Sequence, residues 1–308
     1  MTPIQDVFIV GGGPAGLSAA LALGIARKRV LLCDAGQRRN AAAERIHNLV
    51  TRDGTPPDEF RAVGRDQLRT YPSVEVRDAR VGSIAGARGA FEVTLESGEA
   101  VTARRILLAT GMIDEPLPID GFRALWGRSI FQCPYCHGWE VQDRPWGYLA
   151  GAAEAPMATM FALQARGWTR ELTVFTNGGV ELPEGDLVTL ATAGIRLETA
   201  PIARLVARDA ALAGVELTTG ITVACAALFA HPPQRQVDVV RALGVELDEH
   251  GYVRVDPARL ETSVPGVYAA GDLANRRQAA IFAAAAGTQA ATMLNLELTC
   301  ERVLAGAL

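Results

Sequence analysis

Hydrophobic and polar positions along this chain alternate between two patterns. Short apolar runs bounded by glycine or charge read as buried strands, and longer Ala/Leu-rich runs read as helices. Gln5–Val10 is the first such strand and stops at Gly11-Gly12-Gly13-Pro14-Ala15-Gly16. An Ala/Leu-rich helix to about Ala26 follows, then a strand over Arg29–Cys33 ending on Asp34, which completes a strand–helix–strand unit. A less regular stretch precedes a helix predicted from about Asp58 to Tyr71. Val74–Arg80, Ala90–Leu95 and Ala100–Thr102 read as strands joined by glycine turns, and Arg105–Ala109 as a buried strand ending at Ala109-Thr110-Gly111.

Pro116 and Pro118 interrupt the pattern, and a second strand–helix–strand unit begins. Its parts are Trp146–Leu149, Ala155–Arg166 and Glu171–Phe175, and it closes near His231-Pro232-Pro233. Beyond it, Gly251–Val255 and Gly266–Ala269 read as strands, and Gly271-Asp272 leads into a last long helix. The second unit thus interrupts the first. The expectation is an α/β protein with one discontinuous domain, residues 1–115 and 235–308, and an inserted domain, residues 116–234. A length of 308 residues fits about two domains.

Composition narrows the function classes. With 49% hydrophobic and 21% charged residues the chain buries sizeable cores. A net charge of −4, spread along the sequence, argues against nucleic-acid and anionic-membrane surfaces. The arginine pairs, Arg38–Arg39, Arg104–Arg105 and Arg276–Arg277, read as local contacts or solvated faces. No secretory h-region precedes the first strand, and no stretch approaches the ~20 apolar residues of a membrane span. The expected location is the cytoplasm.

The glycine run carries chemistry. Gly11-x-Gly13-x-x-Gly16 joins a strand to a helix, and Asp34 ends the next strand about 20 residues on. Gly11 permits the tight turn, Gly13 lets backbone approach a pyrophosphate, and Gly16 allows close helix–strand packing. The helix start, with Pro14 and Ala15 in its first turn, offers N–H groups and a positive dipole end to the phosphates. Asp34 can accept hydrogen bonds from ribose hydroxyls. A dinucleotide is expected, and this motif alone does not separate FAD from NAD.

Five cysteines are too few and too scattered for a disulfide scaffold. Cys33 and Cys225 lie in apolar runs and read as small buried hydrophobes, and Cys300, in the helical C-terminal segment, gets the same reading. Cys133-Pro134-Tyr135-Cys136-His137 is different. A zinc site needs two further ligands at suitable spacing, and only four histidines and three isolated cysteines remain. Reversible thiol–disulfide exchange is the reading taken. His137 either holds a proton near neutral pH or serves packing and capping. Glu140 either pairs with it or is solvated.

Two distant segments then bring in a family. Ala109-Thr110-Gly111 and the Thr262–Asp272 segment, ending Ala269-Ala270-Gly271-Asp272, resemble the second and third FAD-contacting segments of two-dinucleotide-domain disulfide reductases. That resemblance implies that Asp272, beside Gly271, holds the ribityl chain. It also sets the helix start Arg277-Gln278-Ala279 beside the flavin pyrimidine ring, where a helix N-terminus favours the negative charge of reduced flavin. With a Cys-x-x-Cys in the inserted unit, the whole chain resembles low-molecular-weight thioredoxin reductase. The resemblance implies two Rossmann-like domains, bound FAD and a homodimer. It implies further that Cys136 faces the flavin C4a and Cys133 meets the substrate.

Those reductases carry Asp directly after the second cysteine, where this chain has His137. Cys-Pro-Tyr-Cys-His-Gly-Trp-Glu instead resembles the branch containing the dithiol oxidases of gliotoxin, holomycin and romidepsin biosynthesis. The segment of His47 and Asn48, with Arg52-Asp53-Gly54, resembles the same branch, which sets His47 and Asn48 at the flavin pocket. The inserted unit also departs from a working nicotinamide site. Its phosphate loop reads Ala150-Gly151-Ala152-Ala153-Glu154-Ala155, with alanines where glycines belong, and Thr176-Asn177-Gly178 replaces the arginines that grip an NADP 2′-phosphate. NADP(H) use is therefore doubtful. The expected activity is FAD-dependent oxidation of a small-molecule dithiol, with dioxygen as electron acceptor. The alternatives are an NADPH-dependent disulfide or thioredoxin reductase, and a flavin-binding sensor without turnover.

Overall fold

The computed structural model describes residues 4–152 and 155–306. They divide into two compact units, each an α/β structure, the first around a mixed sheet with antiparallel β-pairs at one edge and the second around a parallel one. The first takes its described residues from Met1–Ala41, Asn48–Ile113 and Gln234–Leu308, and the second from Ala42–His47 and Asp114–Pro233. The chain therefore leaves the first unit twice. Nothing in the sequence marked the short excursion over Ala42–His47.

In the first unit the strands are β1 (Gln5–Val10), β2 (Val30–Asp34), β3 (Val74–Asp78), β4 (Val81–Ala87), β5 (Ala90–Leu95) and β6 (Ala100–Leu108), in sheet order β3-β2-β1-β6-β5-β4. Val7 and Ile9 of β1 face one core with Leu32 and Leu107, while Phe8 and Val10 face a second with Leu31 and Ile106. Burial on both faces explains why these strands read as unbroken apolar runs rather than alternating ones. Helix α1 (Pro14–Ile25) and the long C-terminal helix share the first core, and α2 (Pro57–Leu68) lies beside α1. A Cβ on Gly287 of the C-terminal helix would overlap the carbonyl oxygen of Ala15, so that glycine sets how closely the two helices approach.

The main part of the second unit begins within a two-residue strand, β7 (Ile113–Asp114), at Asp114. It contains α3 (Phe122–Leu125), β8 (Ile130–Phe131), α4 (Pro134–Val141), β9 (Trp146–Leu149), α5 (Ala155–Ala165), β10 (Leu172–Phe175), α6 (Glu184–Thr192) and β11 (Arg196–Glu198). An antiparallel set follows, β12 (Ile202–Arg208), β13 (Ala211–Leu217) and β14 (Thr222–Ala224), and then β15 (Ala227–Ala230). The parallel sheet has order β11-β10-β9-β15-β8. The chain returns to the first unit through β16 (Gln234–Arg235), α7 (Asp238–Ala242), β17 (Val267–Ala269) and α8 (Ala280–Leu304). Strand β17 pairs with the C-terminal half of β6, Val267 opposite Ile106 and Ala269 opposite Leu108.

Three expectations are corrected. Ala100–Thr102 and Arg105–Ala109 are not separate strands: β6 runs unbroken through Arg104, because its first half pairs with β5 and its second with β1 and β17. Gly251–Val255 is no strand and makes only isolated bridges, Leu247 to Val253 and Val255 to Thr262. Its flanking aspartates explain this: Asp248 Oδ1 accepts from the N–H groups of His250 and Tyr252, and Asp256 Oδ1 from those of Ala258 and Arg259, folding both ends into turns. Cys300 is exposed on α8 rather than buried. Cys33 and Cys225 are buried, and desolvation pushes their thiols up to about 11 and about 12. No helix among the described residues is long and apolar enough to cross a membrane.

Candidate functional site

In the first unit, three segments far apart in sequence meet at the C-terminal ends of β1, β6 and β17. Gly11 has φ +109°, and a Cβ there would strike the carbonyl of Ala109, while one on Gly16 would overlap the carbonyl oxygen of Gly11. Gly13 caps α1, Pro14 takes its first position, and Ala15 is buried behind them. A Cβ on Gly13 would meet nothing within 4 Å, so the turn leaves open space above a helix N-terminus that has no side-chain cap. Ala109 is held by its N–H donating to Val10 O at 2.9 Å, and Gly111, after Thr110, has φ +66°. Gly271, at φ +96°, packs against Ala15, where a Cβ would lie 3.1 Å from the Ala15 Cβ. Asp272 follows in a short 3₁₀ turn, and Ala279 is the N-cap of α8. A turn without side chains, an open space and an unsatisfied helix start suit a dinucleotide phosphate.

The charges around this turn were only partly foreseen. Asp34 is buried and hydrogen bonded by Arg61, with Arg65 Nη2 3.2 Å away, both from α2. Burial alone would raise its carboxyl, but the Arg61 hydrogen bond, the Gly36 N–H and the two guanidinium charges outweigh it and hold Asp34 below the ordinary range. Arg39, read from sequence as a local contact or part of a solvated face, donates to Asp272 Oδ2 at 3.1 Å and to Gln278 Oε1 at 2.5 Å. Gln278 also exchanges hydrogen bonds with Gln234 at 2.9 and 3.0 Å, and the Arg277 N–H donates to Asn275 Oδ1. A Gly-rich turn announces itself in sequence; an arginine that reaches over 230 positions along the chain to its partner does not.

The cysteine pair opens α4 in the second unit. Cys133 is the extended N-cap, φ −122° and ψ 116°, with Pro134 at the first helical position. The N–H groups of Cys136 and His137 both donate to Cys133 O, at 3.1 and 3.2 Å, so the two sulfurs sit one turn apart on a tightly wound end. Both cysteines are partly exposed. The Cys133 thiol is drawn below its ordinary value by the Cys136 sulfhydryl first, with the Cys136 and Tyr135 N–H groups adding to it and burial opposing. The helix is held firmly: Trp146 Nε1 donates to Val141 O at 2.8 Å, and a Cβ on Gly138 would press on Trp168 and Trp146. Tyr135 and Trp139 stand exposed beside the pair.

His137 stacks flat on Phe131, ring centroids 4.3 Å apart, with both ring nitrogens buried and without a hydrogen-bond partner. Of the two readings of His137, packing fits this setting: burial, and then the charge of His47, bring its pKa down to about 4. Glu140 does not pair with it. Glu140 Oε1 lies 2.9 Å from His47 Nε2, and His47 belongs to the stretch that packs with this unit. Asn48, next in the chain, belongs to the first unit, where its N–H donates to Asp53 Oδ1.

Of the altered nicotinamide loop, Ala150, Gly151 and Ala152 follow β9, and Ala153 and Glu154 lie outside the described residues. The turn after β10 is closed on itself. Asn177, at φ +50°, accepts the Ile202 N–H on Oδ1 at 2.7 Å, and the Gly178 N–H donates to Thr199 O.

A family model described as pyridine nucleotide-disulphide oxidoreductase matches residues 5–180 and 184–289. The sequence is 32% identical to the thioredoxin reductase sirT of Leptosphaeria maculans, over 96% of this chain and 94% of that protein. Among solved structures, an oxidoreductase from Agrobacterium tumefaciens superposes with a TM-score of 0.90 at 38% identity, covering 97% of this chain and 99% of that one. HlmI superposes with a TM-score of 0.89 at 35% identity, covering 99% and 96%.

Proposed function

The chain belongs to the pyridine nucleotide-disulphide oxidoreductase family, and from that premise we propose that it oxidises a small-molecule dithiol to its disulfide with dioxygen as electron acceptor. It is an FAD-dependent thiol–disulfide oxidoreductase. The observation that carries the finer reading is the Cys133/Cys136 pair at the N-terminus of α4, partly exposed, with the outer thiol lowered. A substrate thiolate attacks Cys133 Sγ of the oxidised pair, and the electrons of the broken S–S bond go to Cys136 Sγ. The second substrate thiol attacks the mixed disulfide, releases the product and leaves Cys133 reduced. Bound FAD supplies the two-electron acceptor that reoxidises the pair and passes electrons to dioxygen, so one dithiol and one dioxygen give one disulfide and one hydrogen peroxide. We assign its binding to the turn Gly11–Gly16 with Asp34, to Ala109–Gly111, and to Gly271, Asp272 and Arg277–Ala279, with His47 and Asn48 at the flavin side. His137, stacked on Phe131 and uncharged at pH 7, packs behind the pair rather than bonding its thiols. The enzyme works as a homodimer in the cytoplasm.

The competing reading is an NADPH-dependent thioredoxin or disulfide reductase, which the name of the sirT relative favours. The turn after β10 speaks against it. Asn177 is engaged with the Ile202 N–H where a 2′-phosphate would need arginines, and each lost charge-assisted bond weakens binding by roughly 1.5–3 kcal/mol. The test is anaerobic flavin absorbance. Dithiothreitol should bleach the flavin, air should restore it with peroxide formed, and NADPH should act slowly or not at all. Rapid bleaching by NADPH with no response to dithiols would replace the oxidase by the reductase.

A further inference from the structure

Exchange at the redox pair needs a group to take the substrate thiol's proton, and His137 is badly placed for it: its ring lies flat on Phe131 with both nitrogens buried. A different pair is built on the next turn of the helix. Cys136 and Glu140 are four residues apart in α4, and such positions stand one above the other, about 5–6 Å between Cβ atoms. Glu140 Oε1 is 2.9 Å from His47 Nε2, on the stretch Ala42–His47 that packs with this unit. An isolated carboxylate one turn below a nascent thiolate would oppose it by like charge. Joined to an imidazole that gains a proton, the same carboxylate belongs to a neutral ion pair whose cationic half is directed by it.

We infer that His47 and Glu140 form the proton-holding pair of the redox centre, His47 accepting the proton of the incoming substrate thiol and Glu140 acting as its positioning residue. The inference rests on the dithiol reading above. A carboxylate only accepts hydrogen bonds, so Nε2 of His47 carries a hydrogen and Nδ1 is the basic nitrogen. In the step, the substrate S–H proton moves to Nδ1 while its sulfur bonds to Cys133. The Cys133–Cys136 bond breaks, and its electron pair stays on Cys136. Among the described residues, Cys136 and His137 share α4 with Glu140, Cys133 is its N-cap, and Glu44 and Arg45 are exposed on the stretch preceding His47. The burial of His137 agrees with this division: His47 is the histidine whose charge is felt at His137.

Stopped-flow reduction of the FAD-loaded protein by dithiothreitol, without oxygen and across pH 6 to 9, tests it. His47→Ala should slow reduction about 10²-fold near pH 6, less near pH 9 where the thiol ionises unaided, and added imidazole should restore part of the rate. Glu140→Gln, a half-exposed surface change, should give a smaller loss of the same pH dependence. His137→Gln should leave that pH dependence in place. A His47→Ala protein with full flavin whose rate is unchanged, or falls equally at every pH without imidazole rescue, overturns the inference. Should His47→Ala fail to keep FAD, Glu140→Gln decides: an unaltered pH profile in it also overturns the inference. If dithiothreitol does not reduce the wild-type flavin, the oxidase reading itself fails and takes this one with it.

Discussion

His137 lies flat against Phe131, the ring planes 12° apart and the centroids 4.3 Å apart. The contact makes the imidazole part of an apolar stack, and its pKa of about 4 follows from that burial. The ordinary value is about 6.5, so between the two the unfolded chain binds more protons than the folded one. Stability therefore falls as pH drops through that window, by about 2 kcal/mol at pH 5 relative to neutrality from this group alone. His137→Phe should remove that dependence. Thermal unfolding at pH 7.5 and pH 5.0 checks it: the drop in Tm between the two should be smaller in the variant, and an equal drop would place the acid sensitivity elsewhere.

Two glycines three residues apart should respond oppositely to substitution. A side chain on Gly13 enters open space, and its φ of −79° suits any residue. A side chain on Gly16 overlaps the Gly11 carbonyl. Gly13→Val should thus yield a folded but colourless protein, since the valine occupies a phosphate's place. Gly16→Ala should lose stability outright, by about 1–3 kcal/mol or more as overpacking costs. Flavin absorbance and circular dichroism of the two purified variants separate these outcomes. A yellow Gly13→Val protein would remove the phosphate from that turn.

What was legible in the sequence follows from how locally each feature is encoded. The β1–turn–α1–β2 unit was readable because its strands are buried on both faces and its turn admits only glycine at Gly11 and Gly16. Strand β4 was not, since Val81-Gly82-Ser83-Ile84-Ala85-Gly86-Ala87 is mostly solvated and is defined by its pairing with β5. The antiparallel strands β12 and β13 were missed likewise: Ala and Gly dilute their alternation, and register shifts break it. At the site, Cys133 and Cys136 were legible from their spacing. The environment of His137, the Arg39–Asp272 contact and the His47–Glu140 contact were not, because each depends on partners brought together only by folding.

The two cysteines should be equally necessary and differently reactive. Cys133→Ser and Cys136→Ser should each abolish dithiol turnover and retain FAD, because exchange needs one sulfur as electrophile and one as leaving group. The lowered Cys133 thiol makes it the better nucleophile at neutral pH. Mixed disulfides with a thiol substrate should therefore accumulate in Cys136→Ser and be detected as an added mass on Cys133. Trapping in Cys133→Ser alone would exchange the two roles.

Arg39 provides the last prediction. Its guanidinium bonds both Asp272, proposed for the ribityl chain, and Gln278, proposed beside the flavin ring, and it is the one cation that hydrogen bonds both side chains among the described contacts. Asp272 is about a quarter exposed, and its Oδ2 lies 3.1 Å from the Arg39 guanidinium. Arg39→Met keeps the length and apolar stem of the side chain but removes both donors. Asp272 then loses this cation while Gln278 keeps its bonds to Gln234, and a charge-assisted bond of this kind contributes roughly 1.5–3 kcal/mol. Because Arg39 joins loops outside the sheet core, the expected loss falls on the cofactor more than on the fold: FAD affinity should drop about tenfold or more, while the apo-protein's Tm stays close to wild type. Fluorescence titration of apo-protein with FAD measures the first, and thermal unfolding the second. Unchanged FAD affinity in Arg39→Met would reduce the Arg39–Asp272 contact to a structural link between two loops, and the flavin-side assignment of Asp272 would then need support from Asp272→Asn directly.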